Sequence, residues 1–446
     1  MNFLTDKIRP IYFKYLTAAF GGALISSIYG VVDAAMVGQY QGPTGTAALA
    51  VVAPVWNIIY SLGLLTGIGG SVLFSTMRGE SAENEKKSNE YFSAAVIGTA
   101  VLAVLAWAAV IFLDRQFLTL FGAEETLLPL AQAYLYPIKF VVPSFLFTQL
   151  LSAFLRNDGD PALATKAVLF GGVFNVFGDY FFVFTLDMGI MGAGIATAMG
   201  SMFSLVIMLT HFFKKKNTLH LEKPARLAAK LRKIGTTGFS TFFIDVAMGI
   251  LTMIFNRQIL RYLGTDALSV YGVIINISTF VQCCAYSIGQ AAQPILSMNY
   301  GAGEKRRIKE VLTYALGTAA VFGAVWTFAA ELIPNGFVRI FMTPTPGILS
   351  IAPGIIRRYG ISFLLLPFNI FSTYYSQAVM KPSAAFAVSV GRGAILSGIL
   401  IYLLPVLAGA DSIWFAMPIT ELAVAVFVAV MIWRSQKQPI GSAAEE

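Results

Sequence analysis

Twelve apolar stretches, each long enough to cross a lipid bilayer, follow one another at approximately residues 11–39, 47–77, 91–113, 128–156, 161–184, 189–213, 236–262, 267–298, 311–333, 351–380, 383–405 and 412–433. Roughly 20 apolar residues in a helix span the hydrocarbon core. Inside that core only helices and closed barrels satisfy their own backbone. The pattern therefore predicts an all-α membrane protein with twelve transmembrane helices. Only 12% of residues are charged, against about 25% in soluble domains, and the mean hydropathy is +0.72. The first stretch runs well past signal-peptide length and is expected to stay in the mature chain.

The net charge of +8 is a matter of topology, because the basic residues sit in short segments between apolar runs rather than on one soluble face. No nucleic-acid partner is expected. With both termini cytoplasmic, the inner segments hold 22 Lys and Arg and the outer segments 5, so the positive-inside rule places both ends in the cytoplasm. Cys283 and Cys284 are adjacent in an apolar run, and His211 and His220 are the only histidines. Neither a disulfide framework nor redox or zinc chemistry is expected. No phosphate-binding loop of the Walker type is present, so the chain reads as a non-enzyme without cofactors that draws on an ion gradient or a partner.

The halves of the chain repeat. Gly45, Thr46, Ala48, Leu49 and Val51 recur as Gly264, Thr265, Ala267, Leu268 and Val270; Pro161 recurs as Pro382; Gly67, Ser75 and Gly79 recur as Gly289, Ser297 and Gly301. A near-constant offset through separate helices marks a duplicated unit. An even number of spans per repeat gives both repeats the same orientation, so a pseudo-two-fold along the membrane normal is expected. The predicted domains are a six-helix lobe over 1–213, a basic cytoplasmic linker over 214–235, read as solvated and near anionic headgroups, a second six-helix lobe over 236–434 and a cytoplasmic tail over 435–446.

Asp33 lies inside the first apolar stretch, and Asn175 and Asp179 inside the fifth. An Asp at mid-bilayer costs about 2.5–3.5 kcal/mol on insertion scales, so such residues persist mainly where they handle ions or substrate. Asn175 and Asp179 share a helix face, as do Tyr29 and Asp33. With Thr197 of the sixth stretch they offer two carboxylates, an amide oxygen and a hydroxyl, suited to a shared proton or a hard cation such as Na+. A purely structural polar network is the competing reading. Gln149, Met36, Met199 and Met202 are candidates for an adaptable cavity, although each Met also reads as packing. Lys139, Arg392 and Glu421 are intramembrane charges, and Arg392 with Glu421 reads equally as a structural ion pair or as substrate contacts. Pro54, Pro143, Pro294 and Pro367 predict kinks.

The segment from Tyr29 through Asp33 to Gly38, the Asn175/Asp179 pair, Gly79, and the Arg156, Gly159, Pro161 turn resemble the multidrug and toxic compound extrusion (MATE) family, in its DinF-like or MepA-like bacterial branch. The resemblance covers essentially the whole chain. It implies a multi-pass inner-membrane antiporter, expected to be monomeric, that exports organic and often cationic amphipathic compounds in exchange for H+ or Na+. It further implies a cation site at Asp33, Asn175, Asp179 and Thr197, with Tyr29 beside the substrate cavity. Where another branch of the family carries acids in helices seven and ten, this chain has Asp245 in helix seven, a candidate second-lobe site, and none between Ile361 and Met380. Where archaeal relatives bend helix one at a proline, Gly21, Gly22 and Gly30 are the candidate bend points. Two other readings are a lipid-linked oligosaccharide flippase of the same superfamily, which calls for a cationic cavity, and a non-transporting membrane scaffold or receptor.

Overall fold

The structure, a computed structural model, describes residues 2–342 and 344–437; most of the tail expected from 435 lies outside them. The chain is all-helical, with spans α1 (Ile8–Gly42), α2 (Thr44–Glu80), α3 (Glu85–Leu120), α4 (Leu128–Lys139 continuing as Val142–Asn157), α5 (Pro161–Thr185), α6 (Gly189–Phe213), α7 (Leu227–Tyr262), α8 (Gly264–Gly301), α9 (Lys305–Leu332), α10 (Pro346–Ala378), α11 (Pro382–Ala408) and α12 (Ala410–Arg434). Eleven of these helices are long and apolar enough to cross a membrane, or twelve if the two parts of α4, bent by 60°, form one span. The bend falls between Pro137, near the end of the first part, and Pro143, at the start of the second, where each ring removes a backbone donor from the helical ladder. Matching helices of the two repeats begin 218 to 221 residues apart, from Ile8 and Leu227 to Gly189 and Ala410.

Gly21, Gly22 and Gly30 of α1 keep helical φ/ψ. The only non-helical residue between Ile8 and Glu80 is Gly42, where φ of +67° favours a residue without a Cβ. The expected bend at Gly21, Gly22 or Gly30 is therefore replaced by a break at the end of the helix.

Two compact units form, one over Thr17–Val246 and one combining Asn2–Leu16 with the described residues from Ala247 onward. This division departs from simple halving of the chain. Phe3, Ile8, Ile11, Tyr12, Tyr15 and Leu16 belong to the apolar core of the second unit, alongside Ile288, Ile295, Val311 and Phe371. Tyr12 also donates to Thr318 Oγ1 at 3.1 Å, and Arg307 reaches the carbonyls of Phe3 and Asp6. In the first unit, the early turns of α7 press on α2, and a Cβ at Gly238 would collide with the Leu65 carbonyl. Asp245 consequently lies at the edge of the first unit.

The basic stretch between α6 and α7 is more than a solvated linker. α7 begins at Leu227, inside it, and the preceding residues are strapped along the start of α3. Asn89 Oδ1 accepts from His220 N, Ser93 Oγ from Glu222 N and Glu90 Oε2 from Ala225 N. A segment outside the helices has no helical partners for its N–H groups, and these side chains supply them.

Candidate cation site

Glycine contacts decide how closely the helices of the first unit approach. A Cβ at Gly200 of α6 would lie 2.8 Å from the Gly171 carbonyl of α5, and a Cβ at Gly194 of α6 would strike the Tyr134 carbonyl of α4. Small residues at such crossings let backbones pack tightly in a membrane. The short approach brings Asn175 Nδ2 within 3.1 Å of Thr197 Oγ1. It also brings the Tyr134 hydroxyl to 3.5 Å from Thr197 Oγ1, and the same hydroxyl donates to Asp33 Oδ2 at 3.0 Å.

Asp33, Asn175, Asp179 and Thr197 thus gather on α1, α5 and α6, with Tyr134 of α4 joining them. Asp33 and Asp179 interact electrostatically, and Tyr134 is within the field of both. Asp179 is wholly buried and is followed at once by a π-helical segment, Tyr180–Thr185, a local widening that recurs at functional positions in helices. Four oxygens here are buried with no hydrogen-bond partner among the described residues: Asp33 Oδ1, Asn175 Oδ1 and both oxygens of Asp179. Buried acceptors without donors are costly. A cluster of this kind is relieved by a proton on a carboxyl or by a hard cation held through oxygen. Among the described residues, no three His, Cys, Asp or Glu side chains form a metal-binding group, so an ion here would rest on two carboxylates and the amide oxygen.

The other candidates disperse. Tyr29 packs its ring against Gly172 of α5, beside the cluster. Met36 is half-buried one turn beyond Asp33. Gln149 is also half-buried and lies against Gly63 of α2. Met199 and Met202 are 42% and 48% exposed. At about 100° per residue, Met199 projects from the opposite side of α6 to Thr197, so it does not share the cluster's face. Tyr134 escaped the sequence reading because an aromatic in an apolar helix resembles core, although its phenol requires a partner when buried.

Two further charged groups resolve as pairs. Lys139 Nζ contacts Asp114 Oδ2 at 2.7 Å, and Arg392 Nε contacts Glu421 Oε1 at 2.7 Å. At one end of the first unit, His211 sits between Asp158 (2.7 Å) and Asp160 (3.2 Å), and Lys214 and Lys216 reach Asp160. Burial pushes the Asp160 carboxyl up, but hydrogen bonds from His211, Lys214 and Lys216 outweigh it and hold the group below the usual carboxylate range.

The chain as a whole is similar to known transporters. A family model described as MatE matches residues 18–181 and 241–403. The multidrug export protein MepA of Staphylococcus saprophyticus is 23% identical over 414 residues, covering 92% of this chain and 90% of that protein. MepA of Staphylococcus haemolyticus is 24% identical over 416 residues, with the same coverage. Among solved structures, the MATE multidrug transporter DinF-BH, determined in complex with a dye, superposes with a TM-score of 0.89 at 25% identity, covering 97% of each chain.

Proposed function

Because the chain belongs to the MatE family of non-enzymatic membrane transporters, we propose that it is a secondary antiporter that exports organic, often cationic amphipathic compounds. In this reading both termini face the cytoplasm of a bacterial cell, as the 22-to-5 asymmetry of basic residues supports. The export proteins among its relatives support the substrate class. The observation that carries the mechanism is the buried Asp33/Asp179 pair, with three carboxylate oxygens left without a donor.

Two nearby carboxylates in a desolvated setting cannot both stay ionised cheaply, so the cluster takes up a proton or a cation when no positive substrate is near. Export follows if the inward- and outward-facing states favour the two ligands differently, since a ligand with equal affinity for both states shifts nothing. Protons are the preferred coupling ion, because α10 contributes no acid to a second-lobe pair between Ile361 and Met380. Sodium is the second reading, and the amide oxygen of Asn175 favours it. Efflux from proteoliposomes separates them: under proton coupling an imposed pH gradient drives export in sodium-free buffer. Export that requires a sodium gradient at fixed pH overturns the proton assignment.

A further inference from the structure

The second unit holds a buried charge arrangement that the export reading leaves unused. Glu421 of α12 has no exposed side-chain surface. Its Oε1 accepts from Arg392 Nε at 2.7 Å, and its Oε2 accepts from Asn369 Nδ2 of α10 at 2.6 Å. Asn369 is tied a second time, to the Glu421 carbonyl at 2.8 Å. The carboxylate is therefore fixed from both sides. Arg392 stands on a π-helical segment, Gly391–Ile395, within the otherwise α-helical α11.

The manner of the pairing matters. A guanidinium has five N–H donors, and a pair serving structure alone commonly spends two of them in a parallel fork on its carboxylate. Here Glu421 takes only the Nε edge. Neither Nη has a hydrogen-bond partner among the described residues, and neither is sealed from accessible space. The Arg392 side chain keeps 11% exposure. A guanidinium edge left without partners at membrane depth is costly unless it meets a polar ligand or a water-filled space.

We propose that Arg392, held in place by Glu421, forms an oxyanion subsite in the second unit that binds the carboxylate of zwitterionic substrates through its two Nη groups. The planar fork matches a carboxylate bidentately, which a lysine cannot do. Glu421 is the positioning residue: it aims the guanidinium and offsets its charge, so a zwitterion suits the site better than a simple anion. Asn369 fixes Glu421 in turn. This deepens the export reading by adding a substrate class with a free carboxylate to the cationic compounds, and it rests on that reading only for the step of transport.

The test measures binding, not transport. The full chain in nanodiscs is titrated with rhodamine B, whose carboxylate is free, and with its ethyl ester, which has the same ring system without that charge. The wild type binds rhodamine B more tightly than the ester. Arg392→Gln weakens rhodamine B binding about tenfold, the loss of one bidentate charge-assisted contact, and does not weaken the cationic ester, which the now unpaired Glu421 carboxylate attracts. Arg392→Lys keeps the charge without the fork and gives an intermediate loss confined to rhodamine B. Glu421→Gln removes the offsetting charge and tightens rhodamine B relative to the ester. Equal binding of the two dyes by wild type, or parallel losses of both in the Arg392 variants, overturns the subsite. A chain that discriminates the dyes but exports neither keeps the subsite and loses the export reading.

Discussion

The Tyr134 hydroxyl donates to Asp33 Oδ2 across 3.0 Å, a bond from α4 to α1 that holds one carboxylate of the cluster while both oxygens of Asp179 are left without donors. The two acids are therefore unequal, one tethered and one open. Tyr134→Phe is expected to lower efflux several-fold while the chain still folds, since the lost hydrogen bond is worth about 1–3 kcal/mol in a buried charged setting. Wild-type efflux from this variant shows that the tether has no part in coupling.

Thr197 distinguishes the two coupling ions. Its hydroxyl is engaged by Asn175 at 3.1 Å and is a useful sodium ligand, whereas protonation of a carboxylate does not need it. Under proton coupling Thr197→Ala is mild, within about threefold of wild-type efflux. A loss as severe as that of the aspartate variants points to sodium.

The glycine crossing of α5 and α6 should be as sensitive as the cluster it brings together. A side chain at Gly200 meets the Gly171 carbonyl, so Gly200→Val forces the helices apart, at a cost of about 1–3 kcal/mol for overpacking. Thermal unfolding in detergent is expected to shift downward, and efflux to fall with the loss of the Asn175–Thr197 contact. An unchanged melting temperature would contradict close packing at this point.

Asp160 makes stability depend on acid. Its carboxyl is held below the ordinary range by His211, Lys214 and Lys216, so its contribution is present above the unfolded value of about 3.9 and is lost as pH falls through the folded one. Melting temperatures should fall as pH drops below about 4, and Asp160→Asn should be less stable at neutral pH, by on the order of 3 kcal/mol for breaking a buried pair. It should also show a flatter acid limb. An acid limb as steep as that of the wild type removes Asp160 from the account.

Helix count, the duplicated pattern and the intramembrane Asp33, Asn175 and Asp179 were legible because the sequence carries each directly, as a long apolar run, a constant offset, or a polar side chain where lipid disfavours one. Tyr134 was not, since its role depends on a glycine approach between α4 and α6 that no spacing encodes. The strap at His220, Glu222 and Ala225 and the docking of Phe3 to Leu16 with the second unit depend on partners more than 100 residues away.

Proton release on substrate binding tests the central claim, that Asp33 and Asp179 hold the coupling ion until a cationic compound displaces it. The purified chain, equilibrated without sodium in weakly buffered medium near neutral pH, is mixed with a saturating cationic dye while a pH indicator is followed. The account predicts that wild type releases protons as the dye binds, and that Asp33→Asn and Asp179→Asn each sharply reduce that release and abolish coupled efflux while the chain still folds. Dye binding with proton release and efflux undiminished in both variants would contradict it.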